Sequence, residues 1–206
     1  MVIFYKALRY IVIAIICLFL AFIALLAYLF VTQANIEQVN YIEGCESDET
    51  LTVYCDFQNP EDLAVLPDDR HILVSEFGAI IPLSPVNIQG NLSLLDTTDG
   101  SKKNLKIELS DNDWGDSKCE RENMIFSPHG IDINQRVDGS YQLAIVNHMP
   151  TETIELFELR EINDIWSLTW RGCVDAPAHG YFNDVALTSN GSFYVSQMYD
   201  KNISLF

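Results

Sequence analysis

Two stretches of the chain, DVALTSNGSFYVS at 184–196 and DLAVLPDDRHILVS at 62–75, share one pattern. Each begins with an acid and a short apolar run, passes through a turn, and continues into a second strand that ends in Val-Ser. A looser third copy, GIDINQRVDGSYQLAIVN, covers 130–147. Repeated strand–turn–strand units are typical of a β-propeller, in which each blade has an inner strand near the axis and further strands outside it.

The rest of the chain after residue 58 has the same short-strand character. Turn signals such as Asp99-Gly100 and Asp138-Gly139 separate the apolar runs, several of which alternate with polar residues. No segment after residue 40 has a long helical period. The runs are Leu63–Leu66, His71–Ser75, Leu92–Leu95, Leu143–Asn147, Ile154–Leu159, Ile165–Trp170, Val185–Leu187 and Phe193–Val195. We therefore predict an all-β propeller domain over 59–206, and since a blade takes about 40–50 residues, it holds about three to three and a half blades.

An uncharged apolar segment, 10–31, precedes this domain. As a helix it would span about 33 Å, enough for a hydrocarbon core of about 30 Å. Lys6 and Arg9 lie before it and acidic residues follow it, so the positive-inside rule places 1–9 in the cytoplasm and the body outside it. A cleaved signal peptide usually has only about 7–15 apolar residues, which favours an uncleaved transmembrane signal-anchor; cleavage would give a secreted protein. We interpret 32–58 as a stalk leading into the first strand.

The overall charge is strongly acidic, with a formal net charge of -17 at pH 7. Such a surface is a poor match for the phosphate backbone, so we expect no nucleic-acid partner. It suits cations, or it simply keeps the protein soluble.

Cysteines and glycosylation signals agree with export. Cys45, Cys55, Cys119 and Cys173 lie outside the apolar segment, and an exported compartment permits disulfides. The sequence alone leaves all three possible pairings open. Acceptor signals for N-linked glycans begin at Asn91, Asn190 and Asn202.

Oxygen-bearing side chains lie at the predicted starts of the inner strands. Glu61-Asp62 precedes the first, His129-Gly130-Ile131 the second and Asn183-Asp184 the third. Ca²⁺ takes six to eight oxygens from carboxylates, amides and backbone carbonyls, so converging strands of this kind predict calcium binding. Adjacent residues point in different directions and could serve two ions, one at the mouth of the channel and one deeper. An acid before a strand is also a common turn former.

Two histidines lie on consecutive strands of one predicted blade. His129 is in the motif SPHGI and His148 follows IVN. One could take a proton from water while the other orients it. We interpret His71 and His179, in plainer contexts, as surface or structural residues. The chain has neither the Gly-x-Ser-x-Gly elbow of serine hydrolases nor a nucleotide-binding glycine motif.

Taken together, these motifs resemble the paraoxonase/arylesterase family. SPHGI at 127–131, AIVNH at 144–148, TIELF at 153–157 and FNDV at 182–185 occur in the family's order, and Glu61-Asp62-Leu63 before a Leu-Pro turn matches its first inner strand. The resemblance covers about 42–206. It implies a six-bladed propeller with two calcium ions that hydrolyses lactones or aryl esters.

Carried over by position, the resemblance implies two sets of calcium ligands. Glu61 and Asn183 look like ligands of the catalytic calcium. Asp62, Asp184 and the backbone carbonyl of Ile131 look like ligands of the structural calcium.

His129 and His148 look like the family's proposed histidine dyad. The family's other catalytic-calcium ligands, another Asn and an Asn-Asp pair, come from later blades, so we expect this chain alone to be inactive or to be a fragment of a longer product. The late cysteine that closes the family's propeller is also absent, which would leave Cys45 or Cys55 without that partner. The insertion Asp111–Glu122, which contains Cys119, differs from the vertebrate members.

Two other functions stay open. A non-catalytic, membrane-anchored propeller of the strictosidine-synthase-like or gluconolactonase-like type would act as a binding module, and it would not need both histidines. A membrane-tethered structural protein would use its acidic pairs only as turns, and calcium-independent folding would favour it.

Overall fold

The structure, a computed structural model, describes residues 2–34, 44–79 and 88–203. Helix α1 (Val2–Ala34) contains the predicted apolar segment and extends past both of its ends. Its stretch Arg9–Phe30 is long and apolar enough to cross a membrane, a property that signal sequences share. Part of the predicted stalk, 35–43, lies outside the described residues.

A disulfide joins Cys45 to Cys55, with their Cα atoms 5.9 Å apart. The two cysteines, one of which would lack the family's late cysteine as a partner, are thus paired with each other. The second disulfide joins Cys119 to Cys173. Disulfides are typical of extracytoplasmic proteins, which agrees with a body outside the cytoplasm.

Among the described residues after α1, the body of the chain is built from strands. In chain order these are β1 (Pro60–Val65), β2 (His71–Glu76), β3 (Asn91–Asp96), β4 (Lys102–Asn104), β5 (Ile107–Leu109), β6 (Pro128–Gln135), β7 (Tyr141–Asn147), β8 (Thr153–Ile162), β9 (Ile165–Asp175), β10 (Gly180–Leu187) and β11 (Phe193–Asp200). They form three sheets in the orders β1-β2-β3-β4, β5-β9-β8-β7-β6 and β10-β11.

Each copy of the sequence repeat forms an antiparallel pair, namely β1 with β2, β6 with β7 and β10 with β11. The four-stranded sheet and β6–β9 are meanders of the kind that forms a propeller blade. The short strand β5 adds to β9 in parallel. The described sheets do not close into a ring, so the propeller stays a prediction that is consistent with this arrangement.

The central sheet is buried on both faces, which explains the nearly continuous apolar run of β7. Successive residues of a strand point to opposite faces. Leu143 and Ile145 therefore join one apolar cluster, which includes residues of β2 and β3, while Ala144 and Val146 join a second cluster with residues of β10. This packing places β6 against both β1 and β10.

The insertion Asp111–Glu122 is fastened to the last strand of the central sheet. Cys119 and Cys173 are both buried, and the amide of Asn112 donates to the carbonyl oxygens of Asp116 (2.7 Å) and Cys119 (2.8 Å). The ring of Trp114 lies 4.5 Å from the guanidinium carbon of Arg136. The insertion is thus an ordered part of the fold.

Candidate active site

Three strands carry the predicted site residues, and each has a β-bulge at that point. In β1 the register shifts between Pro60 and Asp62, so Glu61 is the extra residue. In β6 the shift falls between Pro128 and Ile131, and in β10 a shift falls between Phe182 and Asp184. A bulge leaves one residue outside the ladder and re-aims its side chain. The extra residues are therefore Glu61, one of the pair His129-Gly130, and Asn183.

The prediction that these residues precede their strands is wrong in detail. Strands β1, β6 and β10 begin at Pro60, Pro128 and Gly180, so the site residues lie inside the strands. The apolar run becomes regular only after each bulge, and the sequence pattern therefore marked the strand start too late.

The bulges bring residues of β1 and β10 to the ring of His129. Its Nδ1 lies 2.8 Å from the backbone oxygen of Asn183. A carbonyl oxygen only accepts, so Nδ1 carries the hydrogen and Nε2 is left with a lone pair in the neutral ring. Nε2 faces Glu61 Oε2 at 3.3 Å. This geometry lets a proton on Nε2 be stabilised by the carboxylate.

His148 lies beside His129, with the two ring centroids 5.2 Å apart and the planes at 72°. Its Nδ1 is 2.9 Å and 3.0 Å from the two carboxylate oxygens of Glu152. Its ring stacks on Tyr181 at 4.3 Å, nearly parallel. The two histidines meet edge to face, and no hydrogen bond in the described part of the chain joins them directly.

Phe77 and Asn147 hold the two histidine strands in place. The ring of Phe77 contacts His129 and His148 edge-on, at centroid distances of 6.2 Å and 5.8 Å. The fully buried Asn147 accepts from the backbone N–H of Ser127 at 2.8 Å, and its amide donates to the oxygen of Met149. The chain is thereby fixed on the N-terminal side of each histidine.

A second group of oxygens lies around Ile131. Asp62 Oδ2 accepts from the backbone N–H of Ile131 at 2.8 Å, so β1 and β6 are joined there. Ser75 Oγ donates to the backbone oxygen of His129 at 2.6 Å and accepts from the N–H of Asp62 at 3.0 Å. Asp184 Oδ1 accepts from the N–H of Val185 at 2.8 Å. All these groups are hydrogen-bonded already in the protein alone.

Gly130 is required where β6 meets β10. A Cβ atom at this position would lie 2.5 Å from both Cα and Oδ1 of Asp184, and 2.6 Å from the oxygen of Asn183. Only glycine permits so close an approach. The same closeness lets the His129 ring reach Asn183.

The phenol of Tyr181 remains un-ionised at neutral pH. Its pKa is raised to about 12, first because the ring is partly buried and then because of Tyr199 and the carboxylates of Glu152 and Glu61. Tyr181 therefore offers His148 a neutral aromatic face, and Tyr199 stacks on the other side at 4.6 Å.

The donor chemistry suits calcium, although the side chains do not form a ready cage. Within 2–34, 44–79 and 88–203, no group of three or more His, Cys, Asp or Glu side chains is arranged to hold a metal. The predicted ligands are a mixture of carboxylates, an amide and a backbone carbonyl, all oxygen donors of the type that Ca²⁺ prefers. Asp62 binds the backbone N–H of Ile131, and Asp184 lies against Gly130. The ring of His129 contacts Glu61 Oε2 on one side and the backbone oxygen of Asn183 on the other.

A cavity of about 500 Å³ lies elsewhere, lined by residues that include Asp68, Tyr141 and Trp166. Tyr141 begins β7, whereas His148 follows its last residue, so the cavity and the histidines are at opposite ends of the strand. Size alone does not make this cavity the better candidate, because no histidine lines it.

The described body after α1 is a β-sheet protein with an acid–histidine cluster at the bulges of three strands. The profile of the family described as Arylesterase matches residues 47–203. The chain belongs to this family, as its motifs predicted, and is paraoxonase-like at the family level. Members of the family are generally calcium-dependent. No curated protein matches the chain in a sequence search.

Sequence reasoning missed several residues that support this centre. Glu152 and Tyr181 contact His148 directly, and Ser75 holds the backbone of His129. Their roles depend on which strands approach each other, which the sequence does not state. The spacing of four residues between His148 and Glu152, across the turn at Pro150, is the only available signal.

Proposed function

We propose that this chain carries the catalytic histidines and part of the calcium shell of a membrane-anchored hydrolase of lactones or aryl esters. The observation that supports it most is that the ring of His129 contacts the backbone oxygen of Asn183 through Nδ1 and Glu61 Oε2 through Nε2. Three separate bulges produce this contact, in a chain of the arylesterase family.

In this proposal His129 is the general base. The bond from Nδ1 to Asn183 O fixes the tautomer, so Nε2 can accept a proton from an attacking water. The resulting imidazolium is opposed by Glu61 at 3.3 Å. General acid–base catalysis of this kind contributes about 10²- to 10⁴-fold.

His148 supports His129 rather than replacing it. Its side chain is only 3% exposed, against 17% for His129, so His129 is the better placed to meet water. The edge-to-face contact of the two rings restrains the rotation of His129.

Glu61 and the Asn183 side chain would hold the catalytic calcium, and Asp62, Asp184 and the Ile131 carbonyl would hold the structural one. When bound, calcium polarises the substrate carbonyl and stabilises the oxyanion. The chain's own residues bring the base to that point: Gly130 permits the approach of β6 to β10, and Ser75 fixes the backbone oxygen of His129.

We also propose that α1 anchors the body outside the cytoplasm. Lys6 and Arg9 precede the apolar stretch, and both disulfides lie after it. Asn190 and Asn202 are exposed and could carry glycans. Asn91 is a poorer site, because it begins β3 and the serine of its acceptor signal, Ser93, is buried. Protease protection of the N-terminus in sealed vesicles tests the orientation, and digestion of residues 1–9 from the body's side of the membrane would reverse it.

The test uses the full chain in detergent micelles with a γ-lactone and phenyl acetate as substrates, in Ca²⁺ and after chelation with EGTA. Where hydrolysis is detected, it should require Ca²⁺ and should fall about 10²- to 10⁴-fold in His129→Gln. His179→Gln is the matched control, because His179 is exposed and lies outside this centre. It should retain the activity of the unaltered chain.

Two results would count against the proposal. Hydrolysis unchanged in His129→Gln would remove the base from the mechanism. Hydrolysis that persists after chelation with EGTA would remove calcium from it.

A further inference from the structure

We infer that Glu152 is a positioning residue, a buried carboxylate that sets the tautomer and the ring orientation of His148. The role of that ring in hydrolysis rests on the proposed function, whereas the hydrogen bonding does not. Glu152 lies just before β8, and its side chain is only 4% exposed.

The contact geometry decides which nitrogen of His148 carries hydrogen. Nδ1 lies 2.9 Å and 3.0 Å from the two oxygens of Glu152. An ionised carboxylate only accepts, so Nδ1 is the donor and Nε2 keeps the lone pair. Nε2 is buried and has no hydrogen-bond partner in the part of the chain that the structure describes. The lone pair of Nε2 therefore lies in the interior, in the ring that is next to His129.

The carboxylate is itself fixed from the neighbouring sheet. Glu152 Oε1 accepts from the backbone N–H of Phe182 at 2.7 Å. Phe182 directly precedes Asn183, whose oxygen holds His129. One short segment of β10 thus orients both histidines: Asn183 holds His129 directly, and Phe182 holds His148 through Glu152.

The stacked rings limit the other freedom of His148. Tyr181 covers one face at 4.3 Å and Phe77 meets the ring at 5.8 Å. These contacts hold the plane of the imidazole but do not determine which nitrogen carries the hydrogen. Glu152 determines the tautomer, in the way that a carboxylate fixes the tautomer of a catalytic or metal-binding histidine.

A plain buried ion pair is the competing interpretation. Lys201 is the nearby cation, with Nζ 3.7 Å from Glu152 Oε2 and a side chain that is 40% exposed. This distance is longer than the distances from the carboxylate to His148 and to Phe182. The main partners of Glu152 are therefore His148 and Phe182, and Lys201 adds a positive charge from a partly exposed position.

The experiment measures the tautomer directly, on the full chain in detergent micelles with ¹⁵N-labelled histidine. The sequence has four histidines, so His148→Gln identifies the signal of this ring. At a pH where the ring is neutral, we expect two-bond ¹H–¹⁵N couplings that put the hydrogen on Nδ1. A hydrogen on Nε2 of the neutral ring in the unaltered chain overturns the inference whatever the variants do.

Glu152→Gln should shift the tautomer towards hydrogen on Nε2. The amide oxygen keeps the N–H of Phe182, and the closer acceptor of Nδ1, Oε2 at 2.9 Å, is replaced by an NH₂ group. Lys201→Gln is the matched control: it removes the neighbouring charge and neither hydrogen bond, so His148 should stay protonated on Nδ1. A Glu152→Gln protein that folds with the tautomer unchanged would refute the role of Glu152.

Activity gives an independent readout. If the unaltered chain hydrolyses the substrates above, Glu152→Gln should lower kcat about ten- to a hundredfold with KM nearly unchanged. An equal loss in Lys201→Gln would contradict a role through the tautomer. If the unaltered chain hydrolyses neither substrate, the tautomer measurement alone decides the role of Glu152.

Discussion

The closest approach between β6 and β10 gives the sharpest prediction about stability, which is the effect of Gly130→Ala. The new methyl carbon would lie 2.5 Å from Cα of Asp184. Carbon atoms pack at about 3.5–4.0 Å, so the strands must separate by about 1 Å. The obstacle is backbone, which cannot rotate away as a flexible side chain can.

Overpacking of this kind costs about 1–3 kcal/mol in the free energy of unfolding. For a protein of this size, each kcal/mol lowers Tm by about 2–4 °C, so the expected loss is about 2–12 °C. The separation also lengthens the bond from His129 Nδ1 to Asn183 O, which is now 2.8 Å. The variant should therefore lose local order at His129 as well as stability.

Thermal unfolding of the full chain in detergent, followed by tryptophan fluorescence, measures the effect, because Trp166 and Trp170 are both buried. Gly180→Ala, at the start of β10, is the matched control. A Cβ there would meet the ring of Phe182 at 3.2 Å and the backbone oxygen of Pro177 at 3.3 Å, so shifts of a few tenths of an ångström would relieve it. We expect its Tm to stay within about 2 °C, since alanine also restricts the unfolded chain. Equal Tm values for Gly130→Ala and Gly180→Ala would refute the claim of a close approach between β6 and β10.

Two further predictions concern the body of the chain. Replacing both Cys119 and Cys173 by alanine opens a loop with a sequence separation of 54. The free energy of unfolding, measured with urea under non-reducing conditions, should fall by about 4 kcal/mol. A fall of less than about 1 kcal/mol would mean that core packing alone holds the insertion. Asp68 is partly buried, which alone would raise its pKa, but hydrogen bonds from His71, the N–H of Arg70 and Trp166 outweigh burial and hold the pKa below its ordinary value. Its stabilising contribution is therefore complete above the unfolded pKa of about 3.9 and is lost as the pH falls through the lower folded pKa. Asp68→Asn should be less stable at pH 7 and should lose less Tm between pH 5 and pH 2 than the unaltered chain, and parallel Tm–pH curves would contradict this assignment.

The strands with an apolar run were predictable from the sequence. Each of the eight runs lies largely within a strand, because burial imposes the alternation that the sequence displays. β4 and β5 escaped prediction, since Lys102–Asn104 and Ile107–Leu109 are short and mostly exposed. They form strands only because they pair with the free edges of β3 and β9. That pairing depends on the tertiary structure and not on the local sequence.

The candidate site was predictable only as far as its motifs go. The resemblance to the family named Glu61, His129 and Asn183, but not the bulges that bring them together. Glu152 was missed because its partners, His148 and Phe182, lie on two different strands. The pairing of Cys119 with Cys173 was likewise undetermined, since spacing along the chain does not encode which loops meet.

The bulges have a consequence for how this protein tolerates change. Glu61 and Asn183 are the extra residues of their strands, so the regular ladder of the sheets is made by their neighbours. Substituting either side chain should therefore alter the chemistry of the centre at little cost in folding free energy. At these two positions the candidate centre and the regular ladder depend on different residues, so the centre can change there while the sheets persist.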